Sequence, residues 1–138
     1  MTAPRVVYTA GVWDLLHRGH LNLLHQAAQL GDMLVVGVVS DAGCNEYKGL
    51  FPAEHQQARM RAVAQIGCVD MVIHQAGTDP TDNLERIRPD VMVHGDDWME
   101  LRQGHEALER LGVEWVLIPY TAGISSTSLR DAMTMGGG

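Results

Sequence analysis

Five short apolar runs rich in β-branched residues alternate along this chain with segments whose apolar residues recur at helical spacing. The alternation predicts strands at Arg5–Ala10, Met33–Val39, Val69–Ile73, Val91–His94 and Val113–Ile118. It predicts helices at Leu21–Leu30, Glu54–Ile66, Asn83–Ile87, Leu101–Leu111 and Ser125–Met133. Met33–Val39 (MLVVGVV) is apolar throughout, as expected of a strand covered on both faces of a parallel sheet. Leu23, Leu24, Ala27 and Leu30 line one face of the first helix, which Gly31-Asp32 should end. The stretch after the second strand lacks a clear period and reads as a loop. Strand–helix alternation implies parallel strands joined by right-handed crossovers. The expected architecture is α/β, a doubly wound five-stranded parallel sheet. In such sheets ligands sit beyond the C-terminal strand ends, where strand order reverses. The polar clusters singled out below fall just after predicted strands.

Composition narrows the possibilities. The chain has 138 residues, 46% of them hydrophobic, enough for one domain with a sizeable core. We read 1–133 as that domain and 134–138, which include Gly136–Gly138, as a flexible tail or linker remnant. No apolar run approaches the ~20 residues that cross a bilayer, and the N-terminus lacks signal-peptide features. A cytoplasmic protein without membrane association is expected. The net charge of −7 argues against a nucleic-acid partner, but not against a small anionic ligand. Cys44 and Cys68 are too few for a disulfide framework and are read as reduced small hydrophobes.

The densest chemistry is Gly11-Val12-Trp13-Asp14-Leu15-Leu16-His17-Arg18-Gly19-His20. Here a strand ends, a glycine turn follows, and two histidines three apart open a helix. That spacing puts both imidazoles on one face. Gly19 lets a phosphate approach the backbone, and the helix N-terminus adds N–H donors and partial positive charge. Histidines so placed can donate to oxygens whose charge grows in a transition state. A metal site is the weaker reading, because no third ligand stands at a suitable spacing; no protein metal ligand is assigned. Asp14 could order a histidine or a water, or simply stabilise the turn. Gly123-Ile124-Ser125-Ser126-Thr127 is a hydroxyl-rich turn entering the last helix, suited to an ordinary cap or to holding outer phosphates.

These residues also carry a resemblance. GVWDLLHRGH looks like the HxGH signature of the nucleotidyltransferase superfamily that includes the cytidylyltransferases. Val91–Trp98 (VMVHGDDW) and Thr121–Leu129 (TAGISSTSL) resemble the GDDW and RTEGISTT blocks of glycerol-3-phosphate cytidylyltransferases, in the same order. The resemblance implies a Rossmann-like nucleotidyltransferase fold that uses CTP, with Mg²⁺ carried by the triphosphate. His17, His20 and Lys48 would be catalytic. Ala10, Gly11, Val12, Asp14, Gly19, Arg59, Asp96, Asp97, Trp98, Ile124, Ser125, Ser126 and Thr127 would bind the nucleotide. Asp97 would accept from the cytosine amino group. Lys48, in the loop after the second strand, and Tyr120 would meet the acceptor. A homodimer is expected.

The chain departs from that pattern twice. Tyr120 stands where the RTEGIS block begins with arginine, and Gly67 stands where relatives carry another arginine. Tyrosine brings neither charge nor a bidentate fork. YTAGISS is closer to cytidylyltransferase domains joined to phosphoenolpyruvate mutases in fosfomycin-type phosphonate antibiotic biosynthesis. On this resemblance the acceptor would be a small phosphonate, with 2-hydroxyethylphosphonate favoured, and the parent chain would continue into a mutase domain. Glycerol 3-phosphate, phosphoethanolamine or another phosphate-alcohol is the alternative acceptor. A nucleotide-binding module without catalysis is the alternative of another class.

Overall fold

The computed structural model describes residues 3–95 and 103–119. The elements run β1 (Val6–Gly11), α1 (Arg18–Ala28), β2 (Met33–Val39), α2 (Asp41–Lys48), α3 (Gln56–Ala64), β3 (Met71–Gln75), α4 (Thr81–Ile87), β4 (Val91–His94), α5 (His105–Leu111) and β5 (Glu114–Leu117). All strands pair in parallel, in the order β3-β2-β1-β4-β5. The chain winds outward from β1 through β2 to β3, then crosses to the other side of β1 for β4 and β5. The switch point therefore lies between β1 and β4, as the doubly wound expectation requires.

Strand alternation gives the sheet two cores. Val7, Leu34, Val36, Val38, Val91 and Val93 face one way, packed with Leu23, Leu24 and Ala27 of α1 and Val63 of α3. Tyr8, Val35 and Met92 face the other way, against Leu84 of α4 and Ala107 and Leu108 of α5. The second core contains a polar knot. The Tyr8 hydroxyl donates to Gln75 Oε1 (2.6 Å) and accepts from Asn83 Nδ2 (2.9 Å), which also donates to the His74 carbonyl. Burial, partly opposed by the Asn83 hydrogen bond, pushes the phenol up to about 12. Gly37 makes room for this ring, since a Cβ there would collide with the Tyr8 hydroxyl.

The N-terminal edge of the sheet is closed by a repeated device. Asp32, Asp70 and Asp90 each stand just before a strand. Each carboxylate accepts an N–H at the start of a neighbouring strand: Asp32 from Arg5, just before β1, Asp70 from Leu34 and Asp90 from Val6, at 2.8, 2.8 and 2.7 Å. Each aspartate's own N–H donates back to the carbonyl of the same residue. These clasps align the strand starts and satisfy donors that the ladder would leave open.

Several boundaries differ from the sequence reading. The stretch after β2, read as a loop, is helix α2, so Lys48 ends a helix rather than sitting in a loop. Its apolar period is weak, but its caps are clear. Ser40 Oγ accepts from the Gly43 N–H, and Gly49 closes the helix at φ 78°, where glycine carries no Cβ penalty. β3 begins two residues late, because Val69 donates to the Ile66 carbonyl and Asp70 is held in its clasp. α5 starts at His105 after Gly104, which is left-handed at φ 81°. The helix expected at Ser125–Met133 lies outside the described residues.

Candidate active site

The site begins where β1 ends, at the switch point. Trp13 and Leu15 take left-handed conformations, φ 56° and 52°, which bulky residues adopt only when their surroundings force them. Trp13 is buried, and its indole N–H donates to the Gly37 carbonyl (3.0 Å). The chain then enters α1 with His17 as its N-cap. His17 Nδ1 accepts from the Gly19 N–H (3.0 Å), and His20 Nδ1 accepts from the His17 N–H (3.3 Å). This is a capping box built from two histidines instead of a hydroxyl and a carboxylate.

The box fixes the tautomers. A neutral imidazole whose Nδ1 accepts must carry its proton on Nε2. The rings stack with centroids 3.9 Å apart, and the Trp13 ring meets His20 edge-on at 5.5 Å. Burial lowers His17 below the ordinary imidazole range. Burial, reinforced by the neighbouring His17 ring and the Lys48 charge and opposed by Asp14, lowers His20 to about 3. Both rings are therefore neutral Nε2–H donors at neutral pH. His17 Nε2 is buried with no hydrogen-bond partner among the described residues. A buried donor of this kind calls for an acceptor.

Around this pair lie the other expected residues. Ala10 and Gly11 end the central strand, Val12 follows it, and Gly19 is buried in the first turn of α1. Lys48 is exposed at the end of α2, and its charge is felt at His20. Asp14 is buried and points away from solvent. Its carboxylate accepts from the Ala53 N–H (2.7 Å) and the Glu54 N–H (3.0 Å). Asp14 therefore ties the histidine bend to the segment before α3.

Arg59 corrects an expectation. It was expected on the nucleotide, but it is 0% exposed. Its guanidinium donates to the Glu54, Val12 and Val39 carbonyls at 2.9, 2.6 and 2.8 Å and to Asp41 Oδ1 at 2.6 Å. A planar fork of five donors suits such convergence. The same contact shapes Asp41: burial raises its carboxyl, but Arg59 and His55 overcome this and hold it below the usual range.

Gly67 corrects another expectation. It lies in the connection into β3, at the N-terminal edge, three residues before the Asp70 clasp on Leu34. Val39, at the end of β2 nearest the histidines, lies five residues further along the strand, roughly 16 Å away. Gly67 therefore stands at the opposite edge of the sheet from the histidine pair.

Gly95 leaves β4 beside the end of β1, so the GDDW segment starts at the switch point. Asp96, Asp97, Trp98, Tyr120, Ile124, Ser125, Ser126 and Thr127 lie outside the described residues. Among the described residues, no group of three His, Cys, Asp or Glu side chains is placed to hold a metal, and no helix is long and apolar enough to cross a membrane. The sequence reading passed over His94, the buried last residue of β4, which burial lowers to about 3. It also passed over Glu54. His94 adjoins the GDDW segment and could have been found there; Glu54 had no local signal.

Capped neutral imidazoles at a helix start, set at the switch point of a 3-2-1-4-5 sheet, define a Rossmann-like nucleotidyltransferase. The chain belongs to the cytidylyltransferase-like family, whose model matches residues 8–132. It is 39% identical over 127 residues to the bifunctional protein HldE of Azorhizobium caulinodans, covering 91% of this chain and 26% of that one. It is 35% identical over 135 residues to HldE of Pseudomonas aeruginosa, covering 96% and 28%. The chain thus spans about a quarter of the length of these curated relatives. Among solved structures it resembles a lipopolysaccharide core biosynthesis protein from Thermoplasma volcanium, with TM-score 0.71 and 26% identity over 86% of this chain and 98% of that one. A pantoate–β-alanine ligase from Francisella tularensis shares the fold, with TM-score 0.63 and 13% identity over 96% and 70%. These names lend no support to the fosfomycin-type phosphonate pathway.

Proposed function

We propose that this chain transfers CMP from CTP to the phosphate of a small phosphorylated sugar, releasing pyrophosphate. The observation that carries the reading is the pair of stacked Nε2–H donors at the start of α1, one of them buried with no acceptor among the described residues. An acceptor phosphate oxygen attacks the α-phosphorus in line. A new P–O bond forms, the bond between the α-phosphorus and the bridging oxygen breaks, and that oxygen leaves with pyrophosphate. The attacking oxygen is already anionic, so neutral imidazoles suffice. They donate hydrogen bonds to the α-phosphate as its charge shifts, and no base is required. Lys48 brings positive charge beside His20, where acceptor and triphosphate would meet. Mg²⁺ carried on the triphosphate supplies further charge neutralisation.

CTP is favoured by the resemblance of Gly95–Trp98 to the cytidylyltransferase GDDW block. A sugar phosphate is favoured by the Thermoplasma volcanium relative, whose name places that protein in lipopolysaccharide core biosynthesis. The test is pyrophosphate release with CTP or ATP against sugar 1-phosphates, glycerol 3-phosphate and 2-hydroxyethylphosphonate. Release is expected with CTP and a sugar phosphate. Faster turnover of ATP would reassign the nucleotide, and faster turnover of the phosphonate would reassign the acceptor. CTP binding by calorimetry without release from any acceptor would leave a nucleotide-binding module.

A further inference from the structure

The bend that delivers the two histidines is strained at two non-glycine residues, Trp13 and Leu15. Such a conformation persists only when surrounding structure over-determines it. Besides the Trp13 indole on the Gly37 carbonyl, the restraint comes from the segment before α3 and from Arg59. Glu54 Oε1 accepts the Leu15 N–H (3.2 Å), the Glu54 N–H donates to Asp14 Oδ1, and the Glu54 carbonyl accepts from Arg59 Nε. Arg59 in turn holds the Val12 carbonyl. Beyond the Trp13 indole bond, the bend is thus tied at Val12, Asp14 and Leu15, and Glu54 takes part directly in the last two and, through its carbonyl on Arg59, in the first.

Glu54 does not cap the helix beside it with its carboxylate. It stands immediately before His55, the N-cap of α3, and that helix has no side-chain cap bond. The Glu54 carboxylate instead reaches 39 residues back along the chain to Leu15. The same residue anchors the end of the segment that leaves α2 after Lys48. We propose that Glu54 is a positioning residue: it locks the left-handed bend so that His17, His20 and Lys48 address the same phosphate. This rests on the nucleotidyl-transfer reading of the site.

Two variants separate reach from charge. Glu54→Gln keeps an acceptor oxygen at the same distance and loses the charge. Glu54→Asp keeps the charge and is one methylene too short. The measurements are kcat and KM for CTP, amide hydrogen exchange at Leu15, and the Nε2–H proton resonances of His17 and His20. For Glu54→Asp, kcat should fall about 10- to 10²-fold, the scale of a displaced reacting geometry, with KM changed less than about 3-fold. Its Leu15 amide should lose protection, and the two Nε2–H resonances should shift. Glu54→Gln should stay close to wild type in every readout. The reverse ranking, or wild-type kcat and Leu15 protection in a folded Glu54→Asp, would overturn the proposal. Should wild type and variants alike release no pyrophosphate, the functional reading fails instead. Exchange and imidazole resonances, which need no turnover, then decide whether Glu54 holds the bend.

Discussion

The two edges of the sheet handle polar groups in opposite ways. At the N-terminal edge, Asp32, Asp70 and Asp90 each close a two-bond clasp with the adjacent strand, so donors and acceptors there are matched within the fold. At the C-terminal edge, two residues are forced left-handed, an arginine is buried beneath them, and His17 Nε2 has no partner among the described residues. The first edge uses carboxylates to align strands. The second uses Asp14 and Glu54 to hold the bend that leads into the two buried histidines. A strained bend and a buried donor with no partner among the described residues mark this edge as the candidate site without reference to any relative.

The sharpest way to break this contrast is at the histidines. His17→Ala and His20→Ala should each lower kcat for pyrophosphate release by about 10²- to 10³-fold, the scale of losing one donor to a developing charge. Thermal unfolding should move less than kcat does: a capping bond, typically ~1 kcal/mol, and the packing of the stacked rings and Trp13 are lost. A variant with near-normal kcat would return that histidine to a purely capping role.

Acid should act next. The folded values of His20 and His94, about 3, lie below the ordinary imidazole value of 6.5. Between these values the unfolded chain binds more protons, so stability must fall as pH drops. From pH 7 to 5.5 each should cost about 1 kcal/mol, given ~1.4 kcal/mol per unit at full slope. Chemical denaturation across that range checks the sign; rising stability on acidification would refute burial of neutral rings. His94→Gln should remove about half of the slope.

A smaller effect is expected at the opposite edge. Asp70→Ala should cost about 1 kcal/mol of stability, the net worth of an ordinary hydrogen bond, while kcat stays within about 2-fold. Loss of activity without loss of stability would erase the distinction between the edges. The smallest effect should come from Gly67→Arg. A side chain there meets open space, and the site is at the other edge. Steady-state kinetics should therefore change less than about 2-fold for phosphate and phosphonate acceptors alike. A marked gain for either would restore a role for that position in acceptor capture.

Much of this molecule was legible in the order of its residues. The strand runs, the doubly wound winding and the helix opened by His17 and His20 follow from periodicity and from glycine and histidine spacing, because these are local properties of the chain. So, in retrospect, was α2: Ser40 and Gly49 mark its ends although its apolar period is weak. Tertiary structure alone decided the rest. Arg59 looked like a phosphate ligand and proved to be a buried tie among three carbonyls and Asp41. Gly67, where relatives carry an arginine, lies in the connection into β3, at the edge of the sheet away from His17 and His20. Glu54 gave no signal at all until folding brought it to Leu15. A side chain's charge is written in the sequence, but what that charge meets depends on contacts made across 39 residues of chain in one case and 47 in another. No local pattern encodes contacts that only a formed sheet and its packed helices bring together.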